Sequence, residues 1–163
     1  MPGPRGSPRL CCVQPAGRPT LDQHLDVYAR ELLDAHRFVV LGTADGTGLP
    51  WVCPVFYGLD GPSTLYWVSR PDARHSANVA VRPEVSLVVY DSSKAAGEGG
   101  AVYMSGNVAV ADPAELPRFN SEAVRKGAYE VRLEHLLLYR ATITDHWVLH
   151  PSFERDERVR VQL

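Results

Sequence analysis

The spacing of apolar residues changes period several times along the chain, and each change predicts an element. Leu21, Leu25, Tyr28, Leu32 and Leu33 recur on one helical face up to about Ala35. Thr20 precedes them as a cap, and Gln23 three residues later completes a capping box. Arg37 to Thr43 is then a short apolar strand, followed by the hairpin turn Ala44-Asp45-Gly46-Thr47-Gly48, whose glycines are free to take positive φ. Leu49 to Leu59 is predicted as the second strand. Pro50 and Pro54 lack ladder donors and mark it as an edge or interrupted strand. Asp60-Gly61-Pro62-Ser63 turns the chain into a third strand, Thr64 to Ser69. Pro71-Asp72 opens a helix, with proline in its first turn, that runs to about Val81 and stops at Arg82-Pro83.

The second half repeats the alternation. Val85 to Tyr90 is a β-branched strand and Asp91 to Gly100 a small-residue loop. Ala101 to Ala111 is the fifth strand, where Gly106 marks a bulge or a close backbone approach. Asp112-Pro113 caps a helical stretch from about Ala114 to Lys126. Tyr129 to His135 fits neither period. Leu136 to Leu149 alternates as a long strand, and Arg158 to Val161 suits a last one. Helices are too few for a doubly wound parallel sheet. Six or seven mostly antiparallel strands with inserted helices predict a small barrel or sandwich.

Bulk properties narrow the partners. The 163 residues suit one domain over residues 20–163. Residues 1–19 hold five prolines, three glycines and three arginines with no acid, and are expected to be a disordered leader. Leu10 to Val13 is too short for the core of a secretory signal. A net charge of −2 gives no electrostatic footprint for nucleic acid, and no polybasic patch suits a membrane surface. Cys11, Cys12 and Cys53 form no closed disulfide framework, so a reducing, cytoplasmic setting is expected. Cys53 inside a strand is expected to be a small core residue. His146 and His150 are four apart on a strand, which separates them by roughly 13 Å, too far to share a metal.

The candidate chemistry lies between Phe38 and Asp91. Ser69-Arg70 ends the third strand, and Arg74-His75-Ser76 falls on the next helix. Solvent-exposed charge at a helix start accounts for these residues. So does a phosphate site, because Arg grips phosphate bidentately and a helix N-terminus adds donors and a favourable dipole. Pro54-Val55-Phe56 is either strand core or a backbone edge left open for a ligand. No nucleophile elbow, P-loop or zinc motif occurs in the sequence.

The series "RFVVLGTADGTGLPWVCPVFYGLDGPSTLYWVS", "PDARHSANVAVRP", "EVSLVVYD" and "AVYMSGNVAVAD" resembles the pyridoxamine 5′-phosphate oxidase-like split barrels over roughly Leu21 to His150. The resemblance implies a split β-barrel homodimer that binds FMN, or in some members the deazaflavin F420, in clefts between subunits. It implies that Ser69, Arg74 and His75 hold the flavin phosphate and that Pro54, Val55 and Phe56 lie against the ring. Trp147 and Arg158 match flavin contacts, and Tyr57 falls on the substrate side. Val52, Tyr57 and Ala101 stand where the oxidase has an arginine, a lysine and a glutamine. Arg118, Glu122 and Glu154-Arg155-Asp156 stand where it holds substrate phosphate, and carboxylates there repel a dianion. The expected activity is a flavin-dependent oxidoreductase on a small molecule other than pyridoxamine phosphate. The alternatives are an F420-dependent reductase and a non-catalytic flavin-binding or cofactor-free dimer.

Overall fold

The computed structural model describes residues 21–152 and 157–163, and of 21–23 only the backbone. The leader, the Thr20–Gln23 capping box and the Glu154-Arg155-Asp156 motif therefore lie outside the described side chains. Helix α1 (Leu21–Ala35) buries Leu25, Leu32 and Leu33 of the predicted stripe, with Ala29 beside them and Tyr28 half-buried. The strands are β1 (Phe38–Ala44), β2 (Pro50–Phe56), β3 (Gly58–Leu59), β4 (Thr64–Ser69), β5 (Glu84–Tyr90), β6 (Ala101–Val110), β7 (Leu137–Leu149) and β8 (Val159–Val161). Helix α2 (Arg74–Val81) joins β4 to β5, and α3 (Leu116–Arg125) precedes β7.

All pairings are antiparallel, in the order β2-β1-β5-β6-β7-β4-β3, with β8 also on β7. The sheet curls into a split barrel, the fold the resemblance implied. Alternate residues point inward, among them Val39, Leu41, Leu87, Val89, Met104, Ala141 and Val148, and α1 packs against β5, β6 and β8. A second, outer core of Tyr66, Phe119, Ala123 and Leu138 seats α3.

The single strand expected from Leu49 to Leu59 is two strands. β2 ends with Phe56 paired to Phe38, whereas Gly58 pairs with Tyr66 of β4. β2 and β3 stand at opposite ends of the strand order, so the one residue between them, Tyr57, carries the chain across the split. Glycine is needed next to it: a Cβ on Gly58 would come within 2.9 Å of the Glu122 Cβ on α3.

Three local features fix the geometry around this frame. Lys126, only 6 % exposed, donates from Nζ to the Leu33 and His36 carbonyls at 3.0 and 2.9 Å, and so caps the end of α1. The register of β6 against β7 shifts between Ser105 and Gly106, where a Cβ would meet the Thr142 carbonyl oxygen at 2.5 Å. The predicted interruption at Gly106 is thus a bulge. Asp112 caps the 3₁₀ turn Pro113–Glu115 ahead of α3 and forms a reciprocal capping box with Glu115.

Helix α2 begins later than its sequence suggests. Ala73, with extended backbone, is its cap residue, and Pro71 lies before the first turn. The Ala73 N–H instead closes a turn onto the Arg70 carbonyl, and the Arg70 side chain is spent on Asp72 through two hydrogen bonds of 2.9 and 2.6 Å.

Candidate functional site

β2 is the outermost strand at one end of the sheet order, as its prolines predict. Its alternation turns Trp51, Cys53 and Val55 to one face, and α2 lies over β1 and β2 there. A hydrogen bond of 2.9 Å from Asn78 Nδ2 to Thr43 Oγ1 anchors the helix to β1. This seating puts the first two helix residues over β2. Arg74 is exposed, and its guanidinium lies 4.4 Å over the Trp51 ring. His75 reaches Cys53 Sγ through Nδ1 at 3.3 Å and Ser69 Oγ through Nε2 at 2.8 Å.

Ser69 and His75 therefore meet directly, while Arg74, the preceding residue on the helix, turns onto Trp51 of the same strand as Cys53. The helix start there has no side-chain cap, because Ala73 supplies none, so its first-turn N–H groups take no side-chain acceptor. Burial pulls His75 below the ordinary imidazole value and pushes the Cys53 thiol up. The pair is thus a neutral imidazole beside a protonated thiol. Asp45, on the β1–β2 turn, sits low in pKa chiefly through donors from Thr47 and Leu49, with Arg74 a smaller contributor. A guanidinium, a hydroxyl and helix-start N–H groups are the donors this end of α2 carries.

The remaining candidates fall elsewhere. Pro54 is exposed on the outer side of β2 and Val55 is buried, with Phe56 half-buried against Phe38 and Phe119. Trp147 pairs with Tyr103 across the β6–β7 ladder, and the Arg158 guanidinium lies 5.0 Å over the Tyr103 ring. Trp147 and Arg158 are thereby brought together, with Tyr103 between them. They share the face of Pro54, whereas Arg74 lies over Trp51 on the other face of β2. One row of cross-strand neighbours runs Pro54–Val40–Val88–Tyr103–Trp147. Four inter-strand steps place Trp147 roughly 19 Å along the sheet from Pro54.

Tyr57 departs from its expected place on a substrate side. Its side chain is fully buried, its hydroxyl donates to the Leu33 carbonyl at 2.6 Å, and Lys126 Nζ stands 3.6 Å over its ring. Tyr57 points inward in step with Val55 two residues before it. Cys53 departs in the opposite direction, being a half-buried partner of His75 where a plain core residue was expected. Period-2 alternation puts Trp51 and Cys53 on one face, but only tertiary packing shows that α2 covers it. Among the described residues no three His, Cys, Asp or Glu side chains group to hold a metal, and His146 is tied to the Pro62 carbonyl at 3.0 Å.

The family profile described as pyridoxamine 5′-phosphate oxidase matches residues 25–145, most of the chain. The chain belongs to this family. Its members commonly bind flavin and are often dimeric. Solved structures share the fold at low identity. The heme storage protein HutZ of Vibrio cholerae is 16 % identical with a TM-score of 0.62, over 77 % of this chain and 94 % of its own. A heme binding protein of Mycobacterium smegmatis is 17 % identical with a TM-score of 0.68, over 89 % of this chain and 60 % of its own. An F420 reductase is 17 % identical with a TM-score of 0.57, over 72 % of this chain and 94 % of its own. No curated protein matches in sequence.

Within the family frame, the positions that differ from the oxidase are engaged otherwise. Val52 is an exposed apolar residue and Ala101 is buried. Arg118 is paired with Asp60 at 2.7 Å, and Glu122 with Arg125 at 2.7 Å. No helix among the described residues is long and apolar enough to cross a membrane.

Proposed function

We propose that this family member binds FMN as a cytoplasmic homodimer and acts as a flavin-dependent oxidoreductase on a small molecule other than pyridoxamine phosphate. The observation that carries the proposal is the Ser69–His75 hydrogen bond at the uncapped start of α2, next to Arg74 and beside the outermost strand β2. This donor set suits a phosphate monoester. Arg74 supplies the charge and is preorganised by Trp51, while Ser69 and the helix N–H groups supply directed donors. Pro54 leaves the edge of β2 without one ladder donor, so neighbouring peptide groups can face a planar ring. When bound, FMN supplies the hydride or electron transfer, and the protein supplies position and electrostatics.

A second subunit enters through the outer face. Phe38 and Val52 are each 59 % exposed and Tyr90 is 50 % exposed, on the same side as Pro54, Val40, Val88, Tyr103 and Trp147. A contiguous apolar face of this kind is a contact surface. A second copy laid on it would bring its own Trp147 and Arg158 toward Pro54 and the open edge of β2. The F420 reading draws on the fold shared with an F420 reductase. That cofactor's longer anionic tail asks for more cationic surface, and Arg70, beside the site, is already committed to Asp72.

Binding distinguishes these readings. Purified protein is expected to quench FMN fluorescence on titration and to run as a dimer in size-exclusion chromatography with light scattering. Arg74→Ala should weaken FMN by about 1.5–3 kcal/mol, as for a charged hydrogen bond, and leave phosphate-free riboflavin unchanged. Equal losses for both flavins would refute the phosphate role of Arg74. A protein that neither FMN nor F420 binds or thermally stabilises would leave only the non-catalytic dimer.

A further inference from the structure

His75 touches two polar side chains, and the direction of those two hydrogen bonds decides what Ser69 can offer a ligand. The distances, 3.3 Å to Cys53 Sγ and 2.8 Å to Ser69 Oγ, fit either neutral tautomer of the ring. With the proton on Nδ1, His75 would donate to sulfur, a weak acceptor, and Nε2 would draw in the Ser69 proton. Ser69 would then turn only lone pairs outward and repel an anion. With the proton on Nε2, the Cys53 thiol donates to Nδ1, His75 donates to Ser69 Oγ, and the hydroxyl proton is left for an outside acceptor.

We infer that Cys53 is a positioning residue that fixes the Nε2–H tautomer of His75 and so presents the Ser69 hydroxyl as a donor toward an anion at the start of α2. The thiol is half-buried on the inward side of β2 and free of any disulfide, so it keeps a proton to give. An sp² ring nitrogen is a better acceptor for that proton than thiol sulfur is for a ring N–H. Ser69 closes β4 and is half-exposed, and His75 is its hydrogen-bond partner among the described residues. The relay is therefore polarised from the barrel wall outward, which adds a donor without adding a buried charge. Its use toward the FMN phosphate rests on the function proposed above.

The test separates the two ideas. Long-range ¹H–¹⁵N correlation spectra of the full chain, free of flavin and at a pH where His75 is neutral, should show His75 as the Nε2–H tautomer. Cys53→Ala should shift it toward a mixture of tautomers, and Cys53→Ser, which keeps a donor, should restore it. An Nδ1–H tautomer in the unaltered protein, or a tautomer indifferent to Cys53→Ala, overturns the inference; the first measurement needs no variant to fold. FMN titration gives the second readout. Cys53→Ala should weaken FMN by about threefold to tenfold, the equivalent of one neutral hydrogen bond, with recovery in Cys53→Ser and no change for riboflavin. If the tautomer is as stated and FMN does not bind, the cofactor proposal falls and the relay stands. If FMN binds and the tautomer is Nδ1–H, the relay falls alone.

Discussion

Tyr57→Phe separates a core role from a ligand role at the residue where the barrel closes. The hydroxyl donates to the Leu33 carbonyl at 2.6 Å, across 24 positions of sequence. Lys126 Nζ donates to the same carbonyl at 3.0 Å, so removing the hydroxyl leaves that oxygen with one donor and no orphaned acceptor. The ring stays in place under Lys126, and its packing is kept. The expected cost is therefore that of one neutral buried hydrogen bond, about 1 kcal/mol. For a chain of this size that corresponds to a fall in Tm of about 2–4 °C. Tyr57→Ala removes the ring as well, and large-to-small changes of a buried aromatic cost about 3–5 kcal/mol. Thermal melts by circular dichroism give the stabilities, and FMN titration of the same samples gives the affinity. A normal melting temperature with weakened flavin binding in Tyr57→Phe would refute the core assignment and return Tyr57 to the substrate side. Burial also pushes the Tyr57 phenol well above its ordinary value. Its contribution is thus complete below the unfolded phenol pKa of about 10 and is lost as pH rises past it.

Three further outcomes follow from packing and charge. Gly106→Ala should destabilise by about 1–3 kcal/mol in urea melts, because the added Cβ meets a backbone carbonyl at 2.5 Å that cannot swing away; wild-type stability would mean the bulge opens freely. Burial lowers both His75 and His146, so the unfolded chain binds protons more readily near neutrality. Stability should be full above the unfolded histidine value of about 6.5 and decline as pH falls below it, and His146→Gln should flatten part of that slope. Lys126→Ala removes the donor to His36 and the cation over Tyr57, and should cost about 2–4 kcal/mol by chemical denaturation, with the end of α1 losing amide-exchange protection first.

Local physics made much of this molecule legible from its residues alone. The α1 stripe, the β1–β2 hairpin, the edge position of β2 and the Asp112 cap all depend on neighbours a few residues apart, and all appear as the spacing predicts. The family likeness followed from the same ordered series, and the profile match over residues 25–145 bears it out. Gly106 pointed to a bulge or a close backbone approach, and the structure has both at this residue.

The tertiary structure decided which of these elements touch. Period-2 alternation cannot show that β2 stops at Phe56, because the change of partner from β1 to β4 depends on how far the sheet has curled. The substrate-side place of Tyr57 came from the resemblance, whereas the folded chain buries its side chain beside Leu33 and Lys126. Cys53 and His75 are 22 positions apart, and Lys126 and His36 are 90 apart. No local preference encodes contacts at that range; they depend on how the helices seat on the curled sheet. The sequence by itself determined the strands, the fold class and the presence of a hydroxyl, a guanidinium and an imidazole near one helix start. Only the folded chain set a thiol behind the imidazole and put Trp147 and Tyr103 on the sheet face opposite Trp51 and Arg74, because which strands and helices lie side by side is fixed by strand order and packing and not by position along the chain.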